Sequence, residues 1–122
     1  MKKAYRKQFD EKLFQVRYVF FVGNKKLVNK ALKKEFKDRA GLGDNAAEAF
    51  DYHYPAGAMV QCLWVPSKKV SDYLIHEITH CVINTLEKKG QPITRTTGET
   101  AAYLSGYLYR EFVNKKKWKR IK

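Results

Sequence analysis

Acidic residues are scarce in this chain: 12 Asp and Glu stand against 25 Lys and Arg, leaving a formal net charge of +13 over 122 residues. Cysteine and proline are scarcer still, at two and three. Cys62 and Cys81 are too few for a disulfide framework and too far apart for a C-x-x-C motif, so they read as reduced, buried thiols. No repeat or low-complexity linker divides the chain. No apolar run approaches the length of a membrane span, and Met1-Lys2-Lys3-Ala4-Tyr5-Arg6 leads into charge instead of an apolar signal region. The expectation is a cytoplasmic protein that makes no membrane contact. Apolar residues at 44% and aromatics at 14% argue for a globular fold, and the length suits one domain over residues 1–122 with a real but modest core.

The positive charge is unevenly placed. Residues 1–39 hold 13 basic and 4 acidic groups, residues 40–112 hold 6 and 8, and residues 113–122 hold 6 and none. The ends, about 1–8 and 115–122, are expected to be basic and flexible. Two readings fit Lys115-Lys116-Lys117-Trp118-Lys119-Arg120: a frayed, solvated tail, or a contact with nucleic acid or an acidic protein.

Residues 13–22 read as a strand, because Phe14, Val16, Tyr18, Phe20 and Val22 are all apolar at alternate positions. Gly23-Asn24 ends it, with Asn24 placed to cap a helix from Lys25 to Asp38 whose stripe of Leu27, Val28, Ala31, Leu32 and Phe36 faces a sheet. Gly41 to Asp44 is a loop. Strand-like runs follow at about 46–54 and 58–65, joined through Pro55 and Gly57. Either Ser67 or Ser71 can cap the next helix, about 68–88, which buries Val70, Leu74, Ile78, Cys81 and Thr85 and ends at Gly90-Gln91-Pro92. A last helix runs from about Gly98 to Asn114. Glu99, Ala102, Tyr103 and Gly106 lie on one side of it and Ala101, Leu104, Leu108 and Phe112 on the other.

The chemistry is concentrated in His76-Glu77-Ile78-Thr79-His80. On a helix, two histidines four residues apart sit about 40° apart around the axis and roughly 6 Å apart along it, so both rings can meet one ion. Zinc accepts nitrogen ligands and takes three protein groups when a fourth position holds water. The intervening glutamate reaches that water without ligating the ion. With three histidines in the chain, a chance match to this pattern is roughly a half-percent event. Cys81 points away from the histidines and is rejected as a ligand. Glu99 fits two roles: a favourable charge at the positive end of a helix, or the third ligand, which its small neighbours Ala102 and Gly106 favour by allowing close approach.

His76-Glu77-x-x-His80, 18 intervening residues and Glu99-x-x-Ala102-Tyr103 together resemble the gluzincin branch of the zincin metallopeptidases. The size is similar to that of minimal single-domain members and of small zincin-like proteins from bacteriophages. The resemblance is specific over residues 68–113 and architectural over 13–66. It implies an α+β fold: a small mixed three-stranded sheet on an active-site helix, a surface helix and a C-terminal helix bearing the glutamate ligand. It also implies that an antiparallel edge strand, about 46–54 here, pairs with the substrate backbone. Two departures are visible. Thermolysin-like members carry Asn before the ligand glutamate and Asp four residues after it, whereas this chain has Gly98 and Tyr103. No dedicated histidine follows to stabilise an oxyanion, leaving His53, Tyr52, Tyr54, Tyr103 and Tyr107 as substitutes.

The expected function is therefore a zinc-dependent hydrolase of a peptide or protein. His76, His80 and Glu99 hold the metal, Glu77 is the general base, and the protein is a monomer or small oligomer. The rival is a zinc-stabilised binding protein on the same fold that touches nucleic acid or an acidic partner through its basic ends.

Overall fold

β2 (Val16–Gly23) is the strand around which the rest is layered. Tyr18, Phe20 and Val22 point into one apolar cluster, while Val19 and Phe21 point into another on the opposite face. A strand buried on both faces needs apolar residues at successive positions, which explains the unbroken Tyr18–Val22 run better than one-sided alternation does. In the computed structural model, which describes residues 2–37, 41–91 and 93–122, β1 (Ala4–Glu11) precedes β2. Then come α1 (Lys25–Glu35), β3 (Glu48–His53), β4 (Met59–Val65), α2 (Asp72–Lys88), α3 (Gly98–Val113) and β5 (Lys119–Arg120). The sheet order is β3-β4-β2-β1-β5. Only β2–β4 is parallel, and the crossover that a parallel pair requires runs through α1 and β3. The other pairs are antiparallel. Leu74, Ile78, Cys81 and Leu86 of α2 and Leu104, Leu108 and Phe112 of α3 pack on one face, and Val28 and Leu32 of α1 pack on the other.

The class is α+β with a mixed sheet, as expected, but the sheet has five strands and not three. Of the two unforeseen strands, β1 begins in, and β5 lies within, the segments expected to be flexible ends. β1 is masked in the sequence because two of its inward positions are charged: Lys7 is 1% exposed and Glu11 is fully buried. The Glu11 carboxylate accepts the backbone N–H groups of Leu13 at 2.6 Å and Phe14 at 2.9 Å, closing the β1–β2 turn. Leu13 and Phe14 therefore belong to the turn, and Gln15 within it has φ 56°. At the other end of β2, Gly23 has φ 109°, and a Cβ there would sit 2.3 Å from the Lys3 carbonyl oxygen, so only glycine fits. β5 is held by Ile121, whose N–H donates to the Ala4 carbonyl at 2.9 Å. Trp118 stacks edge-on against Phe112 and donates Nε1–H to the Phe112 carbonyl at 3.1 Å.

The helix caps follow the sequence. Asn24 Oδ1 accepts Leu27 N–H, and of the two candidate serines it is Ser71 that caps α2. α2 accordingly starts at Asp72 and leaves Val70 exposed. α1 ends at Glu35, and its expected last residue, Asp38, lies outside the described residues, as does Pro92. On α3 the side bearing Ala102 and Tyr103 is exposed, so it does not form the close contact with α2 that its small residues suggested. The larger stripe of Leu104, Leu108 and Phe112 removes more apolar area from water and takes the core instead. No helix among the described residues is long and apolar enough to cross a membrane.

Candidate metal centre

α2 turns Leu74, Glu77, Ile78 and Cys81 inward and leaves His76 and His80 exposed on its flank. The two imidazoles are roughly perpendicular, with ring centroids 4.7 Å apart, and their Nε2 atoms are 3.1 Å from one another. Two nitrogens on one tetrahedral zinc, each about 2.0–2.1 Å from it, stand about 3.3 Å apart. The pair is therefore nearly spaced for one ion. Glu77 is 5% exposed, and one of its carboxylate oxygens lies within 4.8 Å of a ring nitrogen of each histidine. Among the described residues this is the one group of three or more potential ligands gathered so closely. Two nitrogens and an adjoining carboxylate are a donor set that zinc accepts.

Burial pushes the Glu77 carboxyl above the usual carboxylate range, and the neighbouring His76 and His80 pull it back down. A carboxylate so placed is a better proton acceptor than one in water. In front of the group is a hollow of about 290 Å³ walled by Asn45, Ala47, Glu48 and Ala49. Ala47 and Ala49 face α2 from β3 and its approach, and their small side chains keep that hollow open. Tyr73 and Ile75, about half exposed, adjoin His76 on the outer side. A larger hollow of about 760 Å³ lies at the other end of the sheet among Asp10, Arg17, Tyr54 and Lys89, away from the histidines.

The remaining sequence candidates are not brought to this point. Glu99 is exposed in the first turn of α3, outside the three-residue group, and it lines none of the hollows at the histidines. The reason is the placement of α3, which lies over β1 and β2. Tyr103 donates to Glu11 at 3.4 Å, Tyr107 donates to the Asp10 carbonyl at 3.3 Å, and Phe112 meets Phe20. The histidines line hollows beside β3 and along α2 itself, while α3 packs beside α2. Tyr103 and Tyr107 are thus occupied at the far end of β1. His53 ends β3 beside Asp51, with 3.2 Å between Nε2 and Oδ2, and Tyr52 and Tyr54 stack with Phe36 under α1. Cys81 points inward as expected, its thiol donating to the Cys62 carbonyl, and both cysteines are free and buried.

Sequence reasoning missed Glu48 and Asn45, which no spacing rule ties to the histidines because a strand pairing and a loop bring them there. Glu48 walls the hollow at the histidines, and its charge adds to the upward push on the Glu77 carboxyl. It shares strand parity with Phe50, whose ring lies in the opposite core, and its Oε1 accepts Gly43 N–H at 3.1 Å. No protein-family model, curated protein or solved structure matches the chain, so the functional reading rests on the geometry of the site.

Proposed function

We propose that this chain is a zinc-dependent peptidase of the gluzincin type, similar to the small zincin-like proteins of bacteriophages. The observation that carries the reading is the 3.1 Å separation of the His76 and His80 Nε2 atoms with a buried glutamate beside them. The histidines would hold the metal; Glu99, which the fold leaves outside their group, would serve as third ligand on the strength of its spacing in the sequence only after a shift of the first turn of α3 toward them. Zinc bound there supplies Lewis acidity and lowers the pKa of its water. Glu77 carries the proton: a carboxylate oxygen accepts it from the attacking water and returns it to the departing amine nitrogen. Among the described residues, β3 is an antiparallel edge strand with no strand beyond it. An extended peptide added there would run past the hollow at the histidines, which favours a peptide over a small ester or amide as substrate.

The test is cleavage of a diverse peptide library by zinc-loaded protein, with and without chelator, beside Glu77→Gln. Chelator-sensitive cleavage that falls by about 10²–10⁴-fold or more in the variant supports the mechanism. Equal cleavage by the variant and its parent would sink it. Zinc binding with no cleavage of any peptide moves the assignment to the zinc-stabilised binding protein.

A further inference from the structure

We propose that α1 is a docking ridge for the phosphate backbone of double-stranded nucleic acid, on the face of the sheet opposite the candidate metal centre. Lys26, Lys30, Lys33 and Lys34 are exposed and fall within about 100° of arc around α1. The buried positions Val28 and Leu32 lie on the opposite side of the helix. The four ammonium groups form one stripe about 12 Å long, which spans on the order of three or four phosphates of one strand. The single carboxylate of the helix, Glu35, does not interrupt the stripe, because Arg6 clamps it from β1 with Nε at 2.8 Å and a second guanidinium nitrogen at 2.6 Å. Lys119 on β5 extends the basic face. It pairs with Arg6 in the sheet, and paired residues of neighbouring strands point to the same side.

The asymmetry across the sheet makes the ridge more than a share of a high net charge. α1 carries five lysines against one glutamate, whereas α2 and α3 together carry five carboxylates against two basic residues. A polyanion is therefore drawn to α1 in preference to α2 or α3.

Three kinds of partner carry negative charge, and the surface discriminates among them. An anionic membrane would use the apolar stripe of an amphipathic helix, but Val28, Leu32 and Phe36 are already buried against the sheet. An acidic protein needs an apolar patch at the centre of its interface, and none of the exposed large hydrophobic residues lies on α1. A stripe of regularly placed cations with no apolar centre suits a regular polyanion read without sequence preference. Docking there leaves the groove beside His76 and His80 open, and the proposal does not depend on what that groove does.

The test uses a fluorescently labelled random-sequence duplex and anisotropy titrations across a salt series. The parent chain is compared with Lys26→Gln/Lys30→Gln/Lys33→Gln/Lys34→Gln and with a charge-matched control, Lys12→Gln/Lys69→Gln/Lys88→Gln/Lys89→Gln, all at exposed positions. Glutamine keeps helix propensity, and equal melting temperatures verify the fold. Each lost phosphate contact removes about 0.9 from the log–log salt slope, so the α1 variant is expected to lose about three to four units and most of its low-salt affinity. The control variant is expected to retain its slope. No binding by the parent at low salt, or equal losses in the two variants, overturns the proposal. Displacement of the duplex by polyglutamate at equal charge concentration also overturns it, in favour of an acidic protein partner.

Discussion

The ammonium of Lys7 in β1 donates to the backbone carbonyl of Asn114, 107 residues later, at 3.0 Å. It also donates to the Glu111 carbonyl and lies 3.8 Å from the Glu111 carboxylate. A buried lysine near the N-terminus thus closes the C-terminal end of α3, where the helix dipole is negative and the last carbonyls lack helical partners. It is one reason that the ends of this chain belong to the fold.

Lys7→Met should destabilise the protein by about 2–3 kcal/mol, since it strands carbonyls and a carboxylate that had a charged donor. Urea denaturation measures it. Burial holds the Lys7 ammonium below its ordinary pKa, against the opposing pull of Glu111. Between that depressed value and 10.5 the unfolded chain binds more protons at this site, so the parent should gain stability relative to Lys7→Met as pH rises through that window. A gap between the two proteins that stays constant into the alkaline range would mean that Lys7 is not desolvated in the fold.

Removing residues 118–122 should lower stability by about 2 kcal/mol or more. The deletion takes away the half-buried Trp118 ring, the Ile121 contact with the α1-side core and the β5 pairing. Thermal unfolding of the truncated chain checks this, with Trp118→Ala as the smaller perturbation. An unchanged melting temperature would return the tail to the status of a solvated appendage.

Protein expressed with zinc should hold about one ion per chain, and His76→Ala or His80→Ala should abolish retention. Elemental analysis after dialysis reads the result. Glu99→Gln is expected to weaken retention and Glu48→Gln to leave it unchanged. The glutamine at 48 keeps an acceptor for Gly43 N–H, so the loop beside the site stays in place. The reverse pattern would move the third ligand from α3 to the edge strand.

Neither thiol should react with a disulfide reagent until the protein opens. Both side chains are fully buried, and burial pushes the Cys81 thiol well above its ordinary value, with the neighbouring Glu77 adding to the effect. Labelling in native buffer faster than global unfolding would show that α2 separates from β4 as a local event.

The sequence by itself determined the helix that matters and the chemistry it can carry. Histidines four apart with glutamate between them have a fixed relation once the segment is helical, because helical geometry is local. That both rings can reach one ion was implicit in that spacing, and the side-chain rotamers set the 3.1 Å Nε2 separation. The caps at Asn24 and Ser71, the α1 stripe and the apolar runs of β2 and β4 were legible for the same reason. Tertiary structure decided what local rules do not encode. Lys7 and Glu11 look like solvent-facing charges until α3 and the β1–β2 turn supply their partners. Strand pairing brings Glu48 and the small residues of β3 to the histidines, although Glu48 lies 28 residues before His76 in the sequence. The direction in which α3 presents Glu99 was fixed by competition between its two faces. Leu104, Leu108 and Phe112 bury more apolar surface than Ala102 and Gly106 could, and the carboxylate at the helix start goes where that packing leaves it.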